Sequence, residues 1–353
     1  MNAPLNLAAT IQPRSEALPS PAQLRQQLPL DPLLGERVQQ QRAAIRAVLD
    51  GRDPRLLVVI GPCSLQDPEA ALDYGQRLAA LQEEVGDQLL LVMRAYLEKP
   101  RTTVGWKGLL FDPHLDGSGA ADEGLRLSRR LLLDLLHLGL PLASELLHPL
   151  AAAYVDDLLG WAAIGARTSE SQVHREMVSG LDLPVGFKNG TDGGLAIACD
   201  AMQSAAQAHR HFGIDPQGRP ALLHSPGNPH THLVLRGGRH GANYAADQVA
   251  AARATLAERG LPAAILVDCS HANSGKDPQR QPEVLHAVLD QHLAGDRSLR
   301  GVMLESYLQE GCQPLQRPLR YGQSITDACL GWAASASLLR SAAMRLRQGL
   351  ETS

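Results

Sequence analysis

From Leu56 onward, short apolar runs alternate with longer amphipathic stretches. Eight such runs can be marked: Leu56–Ile60, Leu89–Met93, Pro141–Ser144, Ala162–Ala166, Pro184–Phe187, His232–Leu235, Ala264–Val267 and Gly301–Leu304. Between them, stretches such as Pro68–Leu81, Gly124–Leu138 and Ala245–Arg259 carry the spacing of helices packed by one face. Repeated strand-then-helix units predict a parallel sheet covered by helices. Eight of them over about 250 residues match the size of a (β/α)8 barrel. The competing α/β arrangement, an open doubly wound sheet, finds no GxGxxG-and-acid signature in its support.

Two segments fall outside the alternation. Residues 1–54, rich in Pro, Gln and Leu, predict short helices at Pro21–Gln27 and Leu34–Leu49 with a stop at Gly51. They read as an N-terminal helical arm ahead of the (β/α)8 barrel at 55–353. Such an arm either pairs with another subunit, which would make a homodimer or homotetramer, or covers the lower mouth of its own barrel. The stretch 209–225, with Gly213, Asp215-Pro216, Gly218 and Pro220, reads as a hairpin inserted between the fifth and sixth strands.

With 353 residues and 44% apolar content the chain can bury a full core. Its formal net charge is −4 and it has no basic block, so nucleic acid is not an expected partner. No segment approaches the roughly 20 apolar residues of a membrane span. The start, Met1 to Asn6, lacks the features of a secretory signal. Five cysteines without a CxxC pair favour a reducing, cytoplasmic setting. Arginine is used almost everywhere, and lysine only at Lys99, Lys107, Lys188 and Lys276. A need for a compact ammonium and a plain codon bias both account for that.

Candidate chemistry follows from where a barrel keeps its reactive groups, at the carboxyl ends of its strands. The eight runs deliver Cys63, Arg94, Glu145, Arg167, Lys188, Arg236, His271 and Glu305. One set is cationic: Arg94, Lys99, Arg101, Arg167, Lys188 and Arg236. Gathered at one mouth these charges call for phosphate or carboxylate ligands. The other set, Cys63, His271, Glu305 and Asp327, mixes sulfur, nitrogen and oxygen donors. It suits Mn, Fe, Co or Zn better than Mg or Ca.

Longer motifs carry a family resemblance. Ile60-Gly61-Pro62-Cys63-Ser64, the string Glu98 to Gly108 (EKPRTTVGWKG), Gly165-Ala166-Arg167-Thr168 and Val185 to Gly193 (VGFKNGTDG) resemble class I 3-deoxy-D-arabino-heptulosonate 7-phosphate synthases. So do Leu235-Arg236-Gly237-Gly238, Asp268 to Asn273 (DCSHAN) and Ser324-Ile325-Thr326-Asp327, in order, from about Leu56 to Trp332. The resemblance implies a metal-dependent enzyme that condenses phosphoenolpyruvate with D-erythrose 4-phosphate and opens the shikimate pathway. It further implies that Arg94, Lys99, Arg167, Lys188 and Arg236 bind phosphoenolpyruvate, and that Arg101 and Thr102 meet the sugar phosphate. Cys63, His271, Glu305 and Asp327 would hold a divalent metal that polarises the aldehyde. Lys99, His271 and Asp327 would then stand at the reacting atoms, with Lys99 delivering a proton from a pKa lowered by neighbouring arginines.

Where single-aromatic-amino-acid-inhibited members have a serine before the fifth strand, this chain has Asp182, and 148–153 also differ from the family's usual sequence. An aromatic amino acid inhibitor is therefore an expected partner of unassigned identity. A carboxylate at 182 would either repel such a ligand's carboxylate or pair with its ammonium. Three other readings compete: 3-deoxy-octulosonate 8-phosphate synthase, a Schiff-base aldolase using Lys188, and a non-catalytic barrel that senses metabolites or amino acids.

Overall fold

A strand buried on both faces needs apolar residues of both parities, one set for the barrel interior and one for the helices outside. The first strand shows this: Leu57 and Val59 belong to one buried cluster, and Leu56, Val58 and Ile60 to another. The interior cluster adds Val92, Ala143, Trp161, Ala163, Val234, Leu266 and Met303, and the outer one joins the strands to the helices. The structure is a computed structural model describing residues 15–101 and 103–351.

Eight parallel strands close into a barrel: β1 (Leu56–Gly61), β2 (Leu89–Arg94), β3 (Leu142–Glu145), β4 (Trp161–Ile164), β5 (Val185–Lys188), β8 (Thr231–Leu235), β9 (Ile265–Asp268) and β10 (Leu299–Glu305). Around the barrel the order is β1-β10-β9-β8-β5-β4-β3-β2. The excess strands are β6 (His209–Ile214) and β7 (Pro220–Ser225), an antiparallel pair in register from His209↔Ser225 to Ile214↔Pro220. They form the inserted hairpin. Its outer face carries Phe212, 92% exposed, opposite Leu222. No described helix is long and apolar enough to cross a membrane.

The N-terminal helices are fixed locally and then by packing. Helix α1 (Pro21–Gln27) opens with a capping box, Ser20 Oγ accepting from the Gln23 N–H and Gln23 Oε1 from the Ser20 N–H. Helix α2 (Pro32–Leu49) has Pro at its first position and Asp31 as N-cap. Its Ile45, Val48 and Leu49 join the barrel's interior cluster, and Arg42 donates to the carbonyls of Leu159 (2.9 Å) and Asp156 (2.6 Å) just ahead of β4. The arm thus covers the end of its own barrel where the strands begin.

One glycine is required by the barrel's filling. Trp161, the largest fully buried side chain, lies where a Cβ on Gly186 would come within 2.7 Å of its ring and of Val234. Its Nε1 donates to Nε2 of His232 at 3.2 Å, which requires a neutral imidazole. Burial pushes the His232 pKa down to about 3, in keeping with that role.

Candidate active site

At the carboxyl ends of the strands lies a cavity of about 440 Å³. All six cations singled out from the sequence line it: Arg94, Lys99, Arg101, Arg167, Lys188 and Arg236. So do Cys63, His271, Glu305 and Asp327. Thr102 lies outside the described residues. Lys276 also lines the cavity, on a left-handed turn (φ 66°) that follows His271 (φ 56°), two non-glycine residues in a costly conformation at the same rim.

The deepest cations are not left to repel one another. Arg94, 1% exposed, places Nη2 3.1 Å from Glu305 Oε1, Nε 3.4 Å from the Pro62 carbonyl and its guanidinium 4.0 Å above the Tyr96 ring. Its Nη1 is buried with no hydrogen-bond partner among the described residues, a donor left for an anion. Lys188, 2% exposed, has Nζ 3.3 Å from Asp268 Oδ2 and 3.6 Å from Glu145 Oε2. Burial acts to lower its pKa, but Glu145 and Asp268 outweigh it and the net shift is upward. An ammonium held between two carboxylates is a poor Schiff-base nucleophile, and that competing reading loses its support.

Of the four expected metal donors, three converge. The ligating atoms of Cys63, Glu305 and Asp327 lie within 4.8 Å of one another. His271 does not complete the group: its ring is held on the Asp268 side, with Nδ1 2.7 Å from Ser270 Oγ and 2.9 Å from Asp268 Oδ2. A side chain that anchors Nδ1 in this way leaves Nε2 as the nitrogen to offer a metal.

The surroundings of Lys99 reverse the sequence expectation. Its Nζ lies 2.8 Å from both Cys63 Sγ and Asp327 Oδ2, so its neighbours are thiol and carboxylate rather than arginine. Burial favours the neutral amine, but Cys63, Asp327 and Glu305 together raise the pKa above that of a free lysine. Meanwhile burial, reinforced by Glu305, pushes the Cys63 thiol up to about 12. The donor group is therefore a concentration of latent negative charge in which an ammonium already sits as stand-in cation. Sulfur and carboxylate donors with that need fit a divalent transition metal, which ionises a coordinating thiol outright.

Several supporting roles were missed, that of Glu145 among them although the sequence marks the residue at the end of its strand. Asp268 and Glu145 neutralise Lys188, and Gln281 clamps the end of β10, donating to the Glu305 carbonyl (2.9 Å) and accepting from its N–H (2.8 Å). Glu98 accepts from the backbone N–H groups of Leu147 and His148, both 3.1 Å away. An acid three residues before His271 was the one available sequence signal; the other pairings join residues distant in the chain. Asp182 is answered by the arm, 2.6 Å from Arg46 and 3.8 Å from Arg42.

A cationic mouth sharing one cavity with a thiol–carboxylate donor group, at the carboxyl face of a (β/α)8 barrel, defines an enzyme for anionic, phosphate-bearing substrates. The chain belongs to the DAHP synthetase I family, whose model matches residues 34–340. It is 52% identical over 328 residues to the Tyr-sensitive phospho-2-dehydro-3-deoxyheptonate aldolase of Escherichia coli K12, covering 92% of each chain. With the Phe-sensitive enzyme of the same organism it shares 49% identity over 338 residues, 95% of this chain and 96% of the relative. A solved phospho-2-dehydro-3-deoxyheptonate aldolase from Francisella tularensis SCHU S4 superposes with a TM-score of 0.93 at 40% identity, over 95% of this chain and 98% of that one.

Proposed function

We propose that this protein condenses phosphoenolpyruvate with D-erythrose 4-phosphate and water to give 3-deoxy-D-arabino-heptulosonate 7-phosphate and inorganic phosphate, the first step of the shikimate pathway. The observation that carries it is the joining of two sites in one cavity: a buried, partly unsatisfied guanidinium and ammonium pair, and a three-donor group within 4.8 Å. Family membership supports the same reaction.

In this reading Arg94, Arg167, Lys188 and Arg236 bind the carboxylate and phosphate of phosphoenolpyruvate, with Lys99 at the junction of the two substrates. Arg94 contributes its unpaired Nη1. Arg101, anchored by Nε to the Trp106 carbonyl at 2.8 Å, and Thr102 receive the phosphate of the sugar. Cys63, His271, Glu305 and Asp327 hold a divalent Mn, Fe, Co or Zn ion, which when bound supplies Lewis-acid polarisation of the aldehyde. C3 of phosphoenolpyruvate then forms a bond to the aldehyde carbon, and Lys99, a charged acid here, gives its proton to the oxygen that becomes a hydroxyl. Water adds at C2 and loses a proton, and the hemiketal expels phosphate as the C2 carbonyl forms. Asp327, 2.8 Å from Lys99, holds the ammonium beside the metal-donor group.

We also propose a cytoplasmic location, a homodimer or homotetramer, and inhibition by an aromatic amino acid. In the last case Asp182 is already paired with Arg46 and Arg42, so a ligand there would have to compete with an internal ion pair. The test of the substrate assignment is loss of the phosphoenolpyruvate absorbance with erythrose 4-phosphate, arabinose 5-phosphate, or no aldose. Consumption with erythrose 4-phosphate alone is expected; consumption with arabinose 5-phosphate alone would assign the octulosonate reaction instead, and none with either would favour the sensing barrel.

A further inference from the structure

Asp268 is the last residue of β9 and is fully buried. A carboxylate in that position needs partners, and its two oxygens divide them. Oδ1 accepts from the Ser270 N–H at 3.1 Å and from Ser270 Oγ at 2.8 Å. Oδ2, which accepts no hydrogen bond among the described residues, stands at ion-pair distance from two groups in different halves of the cavity: Lys188 Nζ at 3.3 Å, which reaches it from β5 across β8, and His271 Nδ1 at 2.9 Å, whose hydrogen bond goes to Ser270 Oγ. We propose that Asp268 is a positioning residue that links the anion pocket to the metal-donor group through this one shared oxygen. The inference rests on the phosphoenolpyruvate-and-metal reading of the same cavity.

The linkage has a direction. While Lys188 has no anion, Asp268 divides its charge between ammonium and imidazole. When an anion takes up the charge of Lys188, the carboxylate is released to orient His271 and to raise the basicity of its other nitrogen. Anion binding therefore tightens metal binding through Asp268, and by reciprocity the metal tightens anion binding by the same factor.

An Asp268→Asn variant isolates the side chain, because the turn it sits in is held independently. Asn273 Nδ2 donates to the backbone carbonyls of Asp268 (2.8 Å) and Leu235 (3.1 Å), and the Lys276 N–H donates to the His271 carbonyl at 2.7 Å. With the amide oxygen kept on the Ser270 side, its NH2 faces the ammonium and imidazole as one donor against two others. The experiment is equilibrium Co2+ binding to native and D268N protein, followed by the cobalt–thiolate band of Cys63, with and without phosphoenolpyruvate, alongside thermal unfolding.

In native protein phosphoenolpyruvate is expected to tighten Co2+. In D268N the Co2+ affinity is expected to fall about 10- to 100-fold and the tightening factor to shrink at least about threefold. An unchanged affinity, or an unchanged factor, overturns the proposal and leaves Asp268 as a buried counter-charge whose loss shows only in unfolding. Failure of the native protein to bind Co2+ would instead overturn the underlying metal reading. Should D268N not fold, Ser270→Ala removes one hydroxyl from Asp268 and His271, and a roughly tenfold loss of Co2+ affinity is expected; no loss overturns the proposal.

Discussion

Glu98 gives the account its sharpest electrostatic consequence. It is 4% exposed, and burial, its largest influence, pushes its pKa up to about 7 from an ordinary value of 4.5, against the opposing pull of the Leu147 and His148 N–H groups. The folded state therefore prefers the protonated acid. Below pH 4.5 the carboxyl is protonated in both states and contributes no pH dependence. Between 4.5 and 7 the unfolded chain ionises first, so stability falls as pH rises, and above 7 the loss is complete. At about 1.4 kcal/mol per unit, the cost is about 3 kcal/mol. Glu98→Gln abolishes this titration but gives up one acceptor of two backbone N–H groups, about 1–2 kcal/mol at every pH. Guanidinium unfolding of both proteins at pH 5, 6, 7 and 8 should show the variant less stable at pH 5 and more stable at pH 8. A stability difference that does not vary with pH would refute the reasoning, since it would mean that the two N–H groups hold Glu98 ionised throughout.

Other consequences follow from single contacts. Lys99→Arg keeps the charge but displaces the ammonium from its 2.8 Å contacts, and turnover is expected to fall about 100-fold or more; normal turnover in steady-state kinetics would remove Lys99 from proton delivery. Arg94→Lys retains the charge facing Glu305 but loses the fork, so KM for phosphoenolpyruvate should rise at least about tenfold. An unaltered KM would detach Arg94 from the substrate. Gly186→Ala forces a methyl group to 2.7 Å from Trp161 and Val234 and should cost about 1–3 kcal/mol in denaturation, with a shift in tryptophan emission.

The barrel was legible because each strand carries an apolar run with a chemistry-bearing residue at or within a few positions of its end, and parity within the run sorts interior from exterior without knowledge of neighbours. The errors are local. Pro141 and Pro184 open their runs, yet β3 and β5 begin one residue later at Leu142 and Val185, since proline has no N–H to give the ladder. Pro141 still accepts from the Met93 N–H at 2.9 Å. At the site, residue types and strand ends placed all four expected donors and all six cations on one cavity. What sequence could not convey was pairing across the barrel: Asp268 with Lys188, Arg94 with Glu305, and Lys99 with Cys63 and Asp327. Those pairings reversed the expected direction of the Lys99 shift, and the contacts of His271 Nδ1 with Ser270 and Asp268 held its ring back from the other donors. The position of the arm likewise depended on tertiary packing, which α2 settles by placing Ile45 and Val48 in the barrel's interior cluster.

Phosphate release by the purified protein with phosphoenolpyruvate and erythrose 4-phosphate, before and after EDTA and again after Mn2+ is restored, bears most directly on the central claim. Release that requires both substrates, stops with EDTA and returns with Mn2+ is the expected result. Release that persists undiminished in a protein shown to be metal-free would contradict the account, because the Cys63, Glu305 and Asp327 group would then have no part in the reaction.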